Sequence, residues 1–209
     1  MPILAGTRLV AVDTETTGFD PAQGHGLVEV ACVDVEDGRV AGTWSSLVRP
    51  GRPIPPDATA IHGITDAMVR DAPAPEAVAS ELRRRCGDAA LVFHNAPFDL
   101  PFLAALLRQG RQAPLLNPVV DTLGLARGLF DPGGNALGAL AARLGLPVET
   151  AHRALGDALT TARLFLVLAE RWERERGARS VAELAAASQD VVRLTARRSG
   201  SLVGGRREG

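Results

Sequence analysis

The chain has 209 residues, 46% of them hydrophobic, and a formal net charge of −1, which suits one substantial globular domain with at most a small appendage. No apolar run approaches the roughly 20 residues that span a bilayer, and two cysteines are too few for a disulfide framework or a zinc site. The charge balance argues against a large basic surface for gripping nucleic acid, although not against a small acidic pocket that takes one strand end with metal ions supplying the positive charge.

The first segment, MPILAGTRLVAVD, lacks the charged start, apolar core and cleavage site of a secretory signal, so a cytoplasmic, reducing setting is expected. Three strand-like stretches come first, at about 8–13, 27–36 and 40–48. Asp37-Gly38 between the last two is a strong hairpin signal. The connection RPGRPIPPD is too rich in Pro and Gly for long regular structure. Short helical turns are expected over 59–70, and a surface helix over 75–86. A fourth strand at 89–94 runs into a helix at about 97–109, and a fifth at 118–121 into a helix at 122–129. Residues 135–144 form another helix stopped by Gly145. The longest helix, about 153–175, carries a broad apolar face. Antiparallel strands followed by strands alternating with helices predict an α/β fold, a mixed five-stranded sheet with helices on its faces.

Carboxylates punctuate this plan. In the strand ending AVDTET, residues two apart share a face, so Asp13 and Glu15 lie side by side, roughly 7 Å apart along the backbone, while Thr14 points the other way. Such a pair repels itself unless a cation lies between, and an oxygen-only donor set selects Mg²⁺ or Mn²⁺. Read alone, the pair is equally compatible with an exposed strand end where one acid caps the next turn. HNAPFD places Asp99 at the start of a helix after a strand C-terminus, where ligands of α/β sheets bind, although a lone Asp there more commonly caps the helix. In HRALGDA, the separation of His152 from Asp157 amounts to about 140° around a helix. Both reach one pocket only if His152 stands on the turn leading into the helix. A lone His there is more commonly an exposed loop residue.

Together, DTETTG, HNAPFD and HRALGDA resemble the three motifs of the DEDDh 3′–5′ exonucleases. The similarity runs from residue 8 to about 170, in motif order and spacing, and is strongest toward the DnaQ-like branch that includes the epsilon proofreading subunit of bacterial DNA polymerase III. PIPPDATAIHGIT and VDTLGLARGLF also resemble that branch. The resemblance implies an RNase H-like fold and hydrolysis of phosphodiester bonds at nucleic-acid 3′ ends with two divalent metal ions, Mg²⁺ or Mn²⁺. Asp13 would bridge both ions, Glu15 and Asp157 would hold the one beside the attacking water, and Asp99 would support the second. His152 would be the general base. Thr16, Thr17 and Gly18 would meet the terminal nucleotide through their backbone, with Asp57 and His62 on the same substrate. Asp57 reads equally as a turn residue, and His62 also reads as a helix-end residue before Gly63. Asp121 is expected to cap the helix that follows it. Phe19 and Phe98 are candidates for packing on bases, with a core role the commoner alternative.

The same resemblance favours single-stranded DNA, with an RNase T- or oligoribonuclease-like action on RNA as the alternative, or a non-catalytic scaffold on a polymerase. The expected division is an exonuclease domain at 1–176, a helical extension at 177–194 and a disordered basic tail at 195–209. A DNA polymerase or sliding clamp is a possible partner, and a membrane is not. Gln189–Leu194 is at best a degenerate clamp-like peptide, and an ordinary helix end is the plainer reading. The arginines from Arg193 to Arg207 would add nonspecific attraction for phosphates.

Overall fold

A computed structural model describes residues 2–130, 133–147 and 149–189. The basic tail from 195 onward and most of the clamp-like stretch fall outside them. Strands β1 (Arg8–Thr16), β2 (Leu27–Glu36) and β3 (Arg39–Leu47) form an antiparallel meander. Asp37 and Gly38 both have positive φ, 49° and 75°, the backbone that a two-residue hairpin following strand twist requires. β4 (Ala90–Phe93) and β5 (Val119–Asp121) add in parallel beside β1. The sheet order is β3-β2-β1-β4-β5, the mixed five-stranded sheet expected from sequence.

β1 runs to Thr16 rather than stopping near Asp13, because β2 continues to pair with it as far as Thr16 opposite Leu27. β4 pairs with β1 only through Ala11 opposite Val92. The last residues of β1 therefore have a free flank on the β4 side.

The helices are α1 (Pro56–His62), α2 (Asp66–Val69), α3 (Pro75–Cys86), α4 (Ala96–Gln109), α5 (Thr122–Leu129), α6 (Leu137–Arg143) and α7 (Ala154–Arg176). Residues 181–189 are also helical. Strand alternation sorts them into two layers. Leu9, Ala11, Ala31 and Val33 face a cluster with Ala154, Ala158, Ala162 and Phe165 of α7, joined by Leu125, Leu140 and Leu184. Val10, Val12, Val30 and Cys32 face Val78 and Leu82 of α3 and Phe102, Leu103 and Leu106 of α4. Alanines at 11, 31, 154 and 158 are fully buried; their small size brings α7 close to the sheet. Cys32 and Cys86 are buried free thiols. No helix among the described residues is long and apolar enough to cross a membrane.

Candidate active site

β1, β4 and β5 are parallel, so their C-terminal ends share one edge of the sheet, and the acidic residues gather there. Continuing the alternation of Leu9 and Ala11, Asp13 and Glu15 face the α7 layer. Asp157 lies in the first turn of α7 and meets them. Asp13, Glu15 and Asp157 each bring one carboxylate oxygen within 4.8 Å of the others. Three acids in hard, oxygen-only array are a donor set for Mg²⁺ or Mn²⁺.

The electrostatics agree with that fit. Burial raises the Asp13 carboxyl well above its ordinary range, and Asp99, Asp157, Glu15 and Glu29 repel its charge further. Burial, followed by repulsion from Asp157 and Glu29, pushes Glu15 up to about 8. Asp157 is raised by burial and drawn back by His152. Without a cation, these groups resist being charged together.

Asp99 arrives from the opposite layer. It is 4% exposed in the first turn of α4, and burial raises it to about 7 against the pull of a hydrogen bond from Thr14. Thr14 alternates away from Asp13, toward α4, and its Oγ1 donates to Asp99 Oδ1 at 2.7 Å. Asp121 anchors the helix behind Asp99. Its carboxylate accepts from Asn95 N and Ala96 N at 2.9 and 3.1 Å, and from Leu123 N at 2.9 Å. It caps α5, as the sequence suggested, and also secures the start of α4.

His152 stands on the turn before α7, as its separation from Asp157 required. Its φ is 58°, the side chain is exposed, and its backbone N–H donates to Asp157 Oδ2 at 3.0 Å. Gly156 makes this turn possible: any Cβ there would strike the Thr150 carbonyl that crosses it. Arg153 is the N-cap of α7. Its Nη2 and Nε donate to the two oxygens of Glu29 at 2.6 and 3.0 Å, and Ala154 N donates to the same carboxylate at 2.9 Å.

The remaining candidates divide. His62 is 5% exposed at the end of α1. Its Nδ1 accepts from Ile64 N at 3.0 Å, so Nε2 bears the proton, and that atom has no hydrogen-bond partner among the described residues. Burial lowers the ring's proton affinity, and the Thr16 backbone beside it partly offsets this. The Thr16 and Thr17 hydroxyls serve the loop itself: Thr16 Oγ1 donates to Gly18 O at 2.6 Å, and Thr17 Oγ1 accepts from Gly26 N at 3.0 Å. Asp57 is exposed in the first turn of α1, where a carboxylate suits the helix dipole, and no described contact joins it to the acids. Phe98 packs on Phe102, ring centroids 5.6 Å apart, which is the core role. Phe19 does not take that role: it is 84% exposed, directly after the Thr16–Gly18 turn.

Sequence reasoning missed Thr14, Glu29 and Arg153. Alternation turns Thr14 away from Asp13 without naming its partner, and Glu29 sits inside the apolar strand LVEVACV. A carboxylate inside such a run is itself a signal, since a buried charge needs a partner.

A family model described as exonuclease, of the RNase T type, matches residues 10–165. The chain is 46% identical over 170 residues to the DNA polymerase III subunit epsilon-like protein of Rhodobacter capsulatus, an alignment covering 76% of this chain and 23% of that protein. It is 35% identical over 177 residues to the DNA polymerase III subunit epsilon of Pasteurella multocida, covering 80% of this chain and 70% of the relative. Among solved structures, exonuclease X in complex with 5′ overhanging duplex DNA matches with a TM-score of 0.69 and 35% identity, covering 86% of this chain and 99% of that one. With the motif acids converging at one sheet edge inside the matched region, the chain belongs to the DnaQ-like DEDDh exonuclease family, on the side of the DNA polymerase III epsilon subunit.

Proposed function

We propose that the protein removes nucleotides from nucleic-acid 3′ ends, with single-stranded DNA the favoured substrate, and releases nucleoside 5′-monophosphates. The observation that carries this reading is the convergence of Asp13, Glu15 and Asp157 from β1 and α7 within 4.8 Å. Asp99 lies buried alongside, on its own helix. Asp13, Glu15 and Asp157 would hold the ion beside the attacking water, and Asp13 with Asp99 would hold the other. When bound, two divalent ions offset the crowded carboxylates and polarise the scissile phosphate.

The chain's own groups do the rest. His152 accepts a proton from the attacking water, the work for which imidazole is suited near neutral pH. The water oxygen bonds to phosphorus as the bond to the 3′ oxygen of the preceding nucleotide breaks. That oxygen takes up a proton to leave a new 3′-OH. The backbone of Thr16–Gly18 receives the terminal nucleotide, and His62, buried beside the Thr16 backbone, supports the same subsite. Asp57 contacts the same strand farther out. Phe19, exposed beside this turn, packs on a base.

DNA is favoured because the relatives named above are DNA polymerase III epsilon proteins and exonuclease X is solved with duplex DNA. Those names also support a cytoplasmic setting with a DNA polymerase as partner. The test is digestion of 3′-labelled single-stranded DNA, single-stranded RNA and mismatched-primer duplex, with Mg²⁺, Mn²⁺ or chelator. Mononucleotide release that needs metal and disappears in Asp13→Ala supports the reading. Release from RNA alone would move the substrate to the RNase T-like alternative, and no release from any end would overturn it.

A further inference from the structure

Five carboxylates crowd the end of β1, but only four are accounted for. The fifth, Glu29, is 3% exposed and stands directly opposite Glu15 in the antiparallel register. Residues opposite one another share a face, so its charge adds to the repulsion on Glu15 and Asp13. Yet Glu29 is not among the three acids whose oxygens converge. Its oxygens are engaged instead, by the Arg153 fork and by Ala154 N.

The place where that engagement occurs matters. Arg153 lies between His152 and the first turn of α7, and Asp157 N donates to Arg153 O at 3.0 Å. One buried carboxylate on β2 thus grips the backbone and side chain of the hinge that carries both His152 and Asp157. The grip is geometrically specific, since a guanidinium presents two parallel donors to a carboxylate where an ammonium presents a point charge. Glu29 is also rigid, being fixed in the same strand ladder as its neighbour Glu15.

Given the hydrolytic site proposed above, we propose that Glu29 and Arg153 are positioning residues, a clamp that sets His152 and Asp157 in register with Asp13 and Glu15. Neither touches the substrate. Their effect passes through the turn at His152 and the N-terminus of α7. Groups that orient metal-holding side chains typically change metal affinity or turnover by about 10- to 100-fold when removed.

The test compares wild type with Arg153→Met, Arg153→Lys, Glu29→Gln and the double variant Glu29→Leu with Arg153→Leu. The double variant removes both charges of the pair at once, the buried Glu29 and the part-exposed Arg153, so that neither is left without its partner. It carries the test should Arg153→Met fail to fold. Circular dichroism selects folded variants. Mn²⁺ binding is then titrated by calorimetry, and kcat and KM are measured on 3′-labelled single-stranded DNA. The expected result is Mn²⁺ affinity and kcat each lower by about tenfold or more, with KM little changed and partial recovery in Arg153→Lys. A merely structural pair would shift the melting temperature and leave the Mn²⁺ affinity of the folded protein alone. A folded double variant with wild-type Mn²⁺ affinity and kcat would overturn the clamp while the exonuclease reading stood. Wild-type protein that bound Mn²⁺ but released no nucleotide would remove that reading, and the Mn²⁺ affinities would still decide the clamp.

Discussion

Single side chains on the strand β1 do opposite jobs according to parity. Asp13 and Glu15 face α7 and offer oxygens, whereas Thr14 faces α4 and offers a proton to Asp99 Oδ1. Removing that donor frees a buried carboxylate to turn away from the orientation the proposed site requires. Thr14→Val is therefore expected to lower kcat about tenfold with little change in KM, and Thr14→Ser, which keeps the hydroxyl, to restore most of it. Steady-state kinetics on single-stranded DNA check this; equal kcat in Thr14→Val and wild type would count against it. Phe19 gives a contrasting case. At 84% exposure it adds little to the core, so Phe19→Ala should leave thermal unfolding unchanged. If the ring stacks on a base, worth about 1–3 kcal/mol, KM for single-stranded DNA should rise about tenfold, as a direct binding titration would show.

The elements matter through their ends. α4 begins where Asp121 takes its first N–H groups, and α7 begins where Glu29 takes Ala154 N. Both helices deliver an acidic residue from their first turn, so the position of each N-terminus sets the position of a carboxylate in the proposed site. The turn before α7 has a further constraint at Gly156, under the Thr150 carbonyl. Alanine there would gain about 1 kcal/mol of helix propensity, but the crowded Cβ costs about 1–3 kcal/mol and displaces backbone rather than a flexible side chain. Gly156→Ala is thus expected to be net destabilising by about 1 kcal/mol and to lower kcat, because the strand of chain that yields is the one carrying His152. Urea denaturation and kinetics together test it. A variant more stable than wild type with full activity would show that the turn has slack.

At the scale of the molecule, two packed layers and one sheet edge bring acids together from residues 13, 15, 99 and 157, and that concentration of charge opposes folding when no cation is present. Asp13, Glu15, Asp99 and Asp157 all hold protons more tightly in the folded chain than their ordinary values. Across the interval from the ordinary carboxylate range up to about 8, the value for Glu15, these four groups therefore bind more protons in the folded state than in the unfolded state, while buried His62 and His94 pull the other way at the acidic end. Stability of the metal-free protein should fall as pH rises through that interval. Mg²⁺, by binding the folded state, should raise the melting temperature most at the alkaline end. Glu15→Gln should flatten both dependences. Thermal melts from pH 5 to 9 in chelator and in Mg²⁺ measure this; a flat metal-free profile in wild type would mean the carboxylates do not strain the fold. Much of this was legible in the chain itself. Periodicity placed the strands and helices within a few residues, because the two core faces impose alternation on β1 and β2 and an apolar stripe on α7. DTETTG, HNAPFD and HRALGDA carry the acids that meet at the sheet edge. What sequence could not supply was partnership across long separations. Glu29 meets Arg153, Thr14 meets Asp99 and Asp121 meets Asn95 only because the layers close, and the exposure of Phe19 follows from where its turn emerges. The residue types that can do this chemistry were thus determined locally, whereas which buried carboxylate converges on the site and which is neutralised by an arginine was decided by tertiary structure, because a charge taken out of water is stable only beside the partner that folding brings to it.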